Sequence, residues 1–577
     1  MCCVVVASAH RAAANEPALA GYRSYEELRR ELEALAGSDV AEIESLGATL
    51  GGREIYALTL SIGEPAAKPA ILVVGAVHAP HVAGYELAVR MARQLVDQAG
   101  SDEDVKKLLE EQTVYVIPLP SPDASEAFFH KPYSERTGNA RATDDDRDGR
   151  TNEDGPEDLN GDGWITVMRI EDPTGKYIPH PDDDRVLIEA DPKKGEQGRY
   201  RVETEGIDND QDDLQGEDGP GGVAFDRNFT FEYPYFEPGA GPHQVSEPET
   251  RAVADFAFDH PNIYLVLSFS PHNNLMHPWK SGQQRDNIPT TVHEDDVPYL
   301  EHIAEKYQDI RTAEEAPEPP GAAGSFVHWA YFHFGRWSLG TRGWWVPKTE
   351  KSEEPSTDDD EESDSDPEGE DRADETKAAD NKDTEKSDEK RGAEDVNALR
   401  WLQQQGIQGF TPFEPFDHPN YPNRRVEVGG FHPYVRLNPP AAELDKLADE
   451  HTQFFMELAD LRPRLAVTAR KVEPLGGGLH RITAEVRNDG YLPTESAMGR
   501  RAETLQRLEI RIELPEGTSL VHGVERQSVD RLTGRGGAEE HQWLVQLPED
   551  ATTATIKIIA GSPTTGTAET TIELEQK

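Results

Sequence analysis

The stretch Ile71-Leu-Val-Val-Gly-Ala-Val-His-Ala-Pro-His-Val-Ala-Gly-Tyr-Glu86 limits what this chain can fold into more than any other. An unbroken apolar run such as Ile71 to Val74 fits a strand buried on both faces, which belongs in a parallel sheet covered by helices. Gly75 ends the run, and Leu87, Val89, Met91, Leu95 and Val96 follow on one helical face. The turn between strand and helix lies at the carboxyl edge, where open α/β sheets place their ligands. His78 and His81 sit in that turn.

The flanking sequence repeats the same alternation. Residues 22–37 read as an amphipathic helix, with Ser24 and Glu27 at capping-box spacing and Gly37 as the stop. Ile55, Ala57 and Leu60 mark a first strand, and Thr113 to Ile117 a further buried one. Ser246-Glu-Pro-Glu249 predicts a second capping box, and Ile263 to Leu267 another interior strand. A helix is expected over 441–461. Strands alternating with helices predict an α/β class with a mixed sheet flanked by helices. Beyond Pro463 the pattern changes. Ile482/Ala484/Val486, Leu508/Ile510/Ile512/Leu514 and Ala554/Ile556/Ile558 alternate with polar residues, so residues 464–577 are expected to form a small all-β sandwich.

A chain of 577 residues exceeds one ordinary core, so more than one domain is expected. Its 110 acidic against 58 basic side chains argue against a nucleic-acid partner and against electrostatic anchoring to a membrane. No apolar run reaches a transmembrane length of about 20 residues. The only cysteines, Cys2 and Cys3, cannot build a disulfide framework or a thiolate metal site. Residues 1–21 read as the remnant of a signal or leader segment, with a short apolar run ending in Ala7-Ser8-Ala9 and no basic start. The charge is localised, with a net of −16 over 144–220 and −15 over 349–395. Residues 349–395 hold no aromatic residue and no Val, Ile, Leu or Met, and are expected to be disordered. Folded sequence resumes at Val396.

The histidine turn resembles that of the zinc carboxypeptidase family, which includes carboxypeptidases A and B. The resemblance spans about residues 22–463, interrupted by the acidic inserts 141–220 and 349–395. It implies a secreted or envelope-associated protein with a zinc site, a glutamate general base and arginines that grip a substrate's terminal carboxylate. Compared part by part, His78 matches the first zinc ligand, while His81 stands where the family has Glu. The third ligand, counted back from Pro278, falls on Phe269, with His272 three residues on and able to substitute only if the turn is remodelled. Gly324-Ser325-Phe-Val-His328-Trp329-Ala-Tyr331 matches the motif before the base, with His328 for an aspartate, and the base position holds Arg342. A guanidinium cannot act as that base. Glu427 is the nearest rival carboxylate, on a later strand. Of the gripping residues, Arg227 is retained beside Asp226, which replaces an Asn, and Arg136 falls at the spacing of the second arginine.

Three departures at His81, Phe269 and Arg342 imply a degenerate catalytic site, a pseudoenzyme acting as a peptide-binding or scaffold module that receives a peptide C-terminus. The alternative is an active metallocarboxypeptidase with a rearranged zinc site on His78, His81 and His272. The first insert carries its own pattern. Asp144-x-Asp146-x-Asp148-Gly, Asp158-x-Asn160-x-Asp162-Gly and Asp208-x-Asp210-x-Asp212 resemble calcium loops of the EF-hand type, with Arg169 where a full EF-hand needs Glu. Structural calcium is expected there, ordering an insert that otherwise lacks a core.

Overall fold

The computed structural model describes residues 20–144, 149–152, 155–209, 221–282, 288–311, 315–349 and 391–576. Its central sheet is mixed and six-stranded, in the order β1 (Ala41–Ala48), β2 (Glu54–Leu60), β4 (Thr113–Ile117), β3 (Ala70–Val74), β9 (Ile263–Phe269) and β10 (Trp337–Thr341). β4, β3, β9 and β10 run parallel, and β1 and β2 are added antiparallel. Every residue of the four parallel strands is buried, as the apolar runs of β3, β4 and β9 predict.

Side chains alternate between two cores because successive residues of a strand point to opposite faces. Ile71, Val73, Leu265 and Leu267 pack with α1 (Tyr25–Leu35), α2 (Ala83–Gln98), α5 (Val297–Ile310) and α8 (Leu444–Asp460). Leu72, Val74 and Val266 meet α4 (Pro248–Asp259) and α6 (Phe326–Phe332). α1 starts as expected, with the Ser24 backbone N–H donating to Glu27 Oε2 at 2.8 Å. The second capping box does not form. α4 begins at Pro248 with Glu247 as its N-cap, and the Ser246 hydroxyl instead donates to Glu247 Oε1 at 2.6 Å. Proline fixes the first helical position, and Asn228 takes up the Ser246 backbone N–H at 2.9 Å.

The first insert is not coreless. A second six-stranded sheet runs β11 (Phe410–Phe416), β12 (Val426–Phe431), β5 (Val167–Glu171), β8 (Tyr200–Thr204), β6 (Tyr177–Pro179) and β7 (Leu187–Glu189). Met168 and Ile170 alternate onto the face that Val426 and Val428 share, giving a small core of their own. α7 (Ala393–Gln405) covers another part of this sheet, with Val396 and Leu399 against Val186 and Ile188.

The C-terminal region holds two four-stranded sheets. One orders β13 (Leu465–Gly476), β14 (Leu479–Asn488), β18 (Gly537–Gln546) and β16 (Ser519–His522). The other orders β17 (Arg526–Ser528), β15 (Glu509–Glu513), β19 (Thr553–Ser562) and β20 (Gly566–Glu575). Ile482, Ala484, Val486, Ile510, Ile512, Ile556 and Ile558 all enter its core, as the alternation requires. The fully buried Asp296 fastens this unit to the α/β domain. Its carboxylate accepts from the N–H groups of Ala497 and Met498 at 2.8 and 3.1 Å, at the start of α9 (Ala497–Ala502), and from Tyr331 Oη at 2.8 Å. Arg531 Nη2 lies 3.4 Å away as its ion-pair partner. Among the described residues no helix is long and apolar enough to cross a membrane.

Candidate functional site

The turn after β3 is built by close backbone approach. A Cβ on Gly75 would lie 2.3 Å from the Pro118 carbonyl, and one on Gly84 2.8 Å from Ala76 N, so only glycine lets α2 press onto the strand end. Ala76 takes a left-handed φ of 39°, and the Val77 N–H donates to Phe269 O at 3.1 Å. The turn closes with His81 N donating to His78 O at 2.9 Å, which brings the two imidazoles to 5.0 Å between ring centres. Neither Nδ1 has a hydrogen-bond partner. Burial holds His78 down to about 4, with Asp226 opposing the fall and the Arg342 guanidinium and His272 adding to it. His81 is held well below the ordinary histidine range by burial, then by His78 and Arg342. Both are neutral imidazoles at neutral pH.

His272 lies on the same side. Its Nε2 is 3.3 Å from Asp226 Oδ2, its Nδ1 has no partner, and its ring meets His328 edge-on at 5.3 Å. Asp226 spends its other oxygen on the Phe326 N–H at 2.8 Å. This carboxylate is therefore used inside the fold, at the start of α6, and does not stand free to face a substrate. His328 sits one turn along α6 with its Nδ1 2.6 Å from the Ser325 hydroxyl. Burial, then His272, pushes it down to about 3.

The arginines differ in how they are held. Arg342 is half-buried, with Nη2 donating to Glu318 O at 3.2 Å and Nε without a partner, and burial lowers its pKa. Arg227 pairs with Glu237 at 2.7 Å, with its guanidinium half-exposed and Glu237 mostly in water. Arg136 is committed to the backbone carbonyls of Gly138, at 3.0 Å, and Asn139. That segment bridges to Ala224, which ties Arg136 to the loop carrying Asp226 and Arg227.

Two further residues named from the sequence, Phe269 and Glu427, are held in the folded cores. The Phe269 ring, at the third-ligand position by spacing, offers no metal donor. It belongs to the helix-covered core, 5.3 Å from the His451 ring, and contacts the backbone positions Gly84 and Gly343. The period of β9 sends Phe269 to the face shared by Leu265 and Leu267, away from the face that Val266 and Ser268 serve. Glu427 is held in the insert sheet by Arg169 and Arg425, each at 2.6 Å, and is no substitute base.

Zinc takes imidazole nitrogen, and three buried Nδ1 atoms without partners, on His78, His81 and His272, are donors of that kind. Among the described residues, however, no group of three His, Cys, Asp or Glu side chains is placed to hold a metal ion. As placed, these side chains are therefore not assembled into the family's three-ligand zinc site. In the insert, Asp146, Asp148, Asp210 and Asp212 lie outside the described residues. Asp158, Asn160 and Asp162 fold into one tight loop in which Gly163 N donates to Asp158 Oδ2 at 2.8 Å and Asp162 N to Asn160 Oδ1 at 2.9 Å. Gly149 N donates to Asp144 Oδ2 at 3.2 Å, the same bond from the sixth position to the first. The buried Glu205 anchors the 158–163 loop, accepting from Leu159 N at 2.7 Å and Thr166 N at 2.8 Å. Asp208 N donates to Asn420 Oδ1 at 3.3 Å, away from that loop's own bonds.

Among solved structures, the chain is similar to thrombin activatable fibrinolysis inhibitor at 13% identity and a TM-score of 0.41, covering 76% of this chain and 73% of that one. It is similar to carboxypeptidase A of Helicoverpa armigera at 14% identity and a TM-score of 0.35, covering 55% of this chain and 63% of that one. A putative carboxypeptidase of Burkholderia mallei matches at 14% identity and a TM-score of 0.32, covering 55% and 58%. Residues 464–573 match a domain of unknown function, DUF8731. Residues 28–342, more than half of the 577, match the zinc carboxypeptidase family model, and the chain belongs to that family.

Proposed function

We propose that this chain is a carboxypeptidase-like module that receives a peptide or protein C-terminus without hydrolysing it. The observation that carries this reading is Arg342, which stands at the family's base position and acts electrostatically on both His78 and His81. Hydrolysis needs a proton acceptor there, and a guanidinium is a permanent donor. Beside two neutral imidazoles it supplies instead a fixed positive charge that suits a carboxylate. Arg227 is a second anchor, because its pairing with Glu237 is exposed, worth about 0–1 kcal/mol, and readily exchanged for a ligand carboxylate.

Absence of a base forfeits roughly 10²–10⁴-fold in rate. Purified protein incubated with peptides should release no C-terminal amino acid, with or without added zinc. A peptide with a free C-terminus should bind, its amidated form should bind at least about tenfold more weakly, and Arg342→Ala should remove most of that difference. Chelator-sensitive release of C-terminal residues would overturn this reading in favour of the rearranged site on His78, His81 and His272. That second reading is supported by their three unpartnered Nδ1 atoms.

Calcium in the acidic insert is supported by the shared backbone geometry of the Asp144 and Asp158 loops. Millimolar calcium should raise the melting temperature through binding to the folded state, and Asp162→Ala should remove part of the gain. An unchanged melting curve would show that these carboxylates serve only their own loops.

A further inference from the structure

A cavity of about 140 Å³ opens between the start of the described chain, the segment 128–133, Trp164 and the turn 432–435. It is separate from the histidine site, since none of His78, His81, Asp226, His272 or Arg342 lines it. Its walls are aromatic and come from stretches far apart in sequence. Trp164 and His432 stack at 4.2 Å with planes 12° apart, and Tyr133 lies against Trp164 at 4.7 Å. On the other side Phe128 meets Tyr434 at 4.9 Å and Tyr22 at 5.4 Å, both edge-on.

Several polar ends of these rings are already committed, although His432 Nδ1 has no partner. Tyr22 Oη donates to Pro439 O and Tyr434 Oη to Ser134 O, both at 2.6 Å, while His432 Nε2 lies 3.1 Å from Thr411 Oγ1. What remains for an occupant is mostly ring surface, and no Asp, Glu, Lys or Arg lines the space. A sugar would lose hydrogen bonds to water with few replacements, and an ion would find no counter-charge. An apolar cavity of about 150 Å³ accepts one benzene ring, so the size suits one small aromatic group, with the rest of its ligand left outside the opening. Aromatic walls add edge-to-face and stacked contacts to that burial. Residues 1–19 contain no Phe, Tyr or Trp, so the preceding segment brings no such ring of its own.

We infer that this cavity is a binding site for one uncharged aromatic ring, distinct from the carboxypeptidase-like site. The ring is either that of a free small aromatic compound or an aromatic side chain on a peptide. The test is calorimetric titration of the full-length protein with indole, with the amidated peptide acetyl-Ala-Trp-Ala, and with glucose. Saturable one-to-one binding of indole is expected if the source is a free compound, and tighter binding of the peptide than of indole if it is a side chain. Trp164→Ala should weaken the binding by about tenfold or more. Because that change could loosen the 158–163 loop, Ala20→Trp provides a second arm: Ala20 is an exposed rim residue, and the larger ring should block the cavity while the melting temperature holds. Absence of saturable binding by either aromatic probe, binding unchanged in both variants, or glucose binding as tightly as indole would each overturn the inference.

Discussion

Replacing Asp296 by alanine should destabilise the folded chain by about 3–5 kcal/mol, the cost of breaking a buried ion pair from one side. The carboxylate is fully buried and Arg531 nearly so, at 0% and 11% side-chain exposure. Its loss strands a guanidinium, the Tyr331 hydroxyl and two N–H groups at the start of α9, none of which gains water in exchange. Burial raises the Asp296 pKa, and the hydrogen bonds from Ala497, Met498 and Tyr331 and the charge of Arg531 oppose that rise. Asn at this position keeps an acceptor for the backbone and should cost less. Denaturant unfolding would distinguish the outcomes. The β-sandwich should begin to melt apart from the α/β domain in the alanine variant, and a single transition at the wild-type midpoint would refute the assignment of Asp296 as the fastening group.

Acid should also be strongly destabilising, and through histidines more than carboxylates. His451 is buried, with Nδ1 against Leu447 O and Nε2 3.3 Å from Tyr307 Oη, and burial followed by Arg311 pushes it down to about 3. A histidine whose folded pKa is depressed binds its proton more readily in the unfolded chain. Its stabilising contribution is therefore complete above about pH 6.5 and is lost as pH falls toward 3. At 1.36 kcal/mol per unit, His451 alone accounts for a loss of about 5 kcal/mol across that window. His78 and His328 act in the same direction over pH windows ending near 4 and 3. Urea midpoints measured from pH 7 to pH 4 should fall steeply, and His451→Leu should flatten the curve. A midpoint insensitive to pH over that range would show that these imidazoles titrate normally.

Legibility followed burial. β3, β4 and β9 were readable because strands buried on both faces are written as unbroken apolar runs, and the sandwich because its strands alternate strictly. β1 was not, since Ala-Glu-Ile-Glu-Ser-Leu-Gly-Ala is an edge strand with most positions at least partly exposed. β5 to β8 were hidden for a related reason: short strands with one or two buried residues lie in a sequence dominated by carboxylates. At the site, motif spacing singled out His78, Arg227 and Arg342 as positions, but not their surroundings. The face that Phe269 serves was not legible either, because a single residue of strand register decides it. Nothing in the sequence joins Trp164 to His432 or His272 to Asp226. Those contacts exist only once separate segments have been folded together.

The insert sheet adds a matter of timing. β5 pairs with β12, and Arg169 reaches Glu427 across 258 positions of chain. At synthesis rates of about 5–20 residues per second, β5 emerges roughly 13–50 s before its partner. For that interval Met168 and Ile170 lie on a strand with one open edge, the kind of template on which nascent chains aggregate. The dense negative charge of residues 144–220, net −16, emerges with the same stretch of sequence and repels a second copy. Acidity that looks incidental in the finished molecule thus works as a gatekeeper while the sheet is still incomplete.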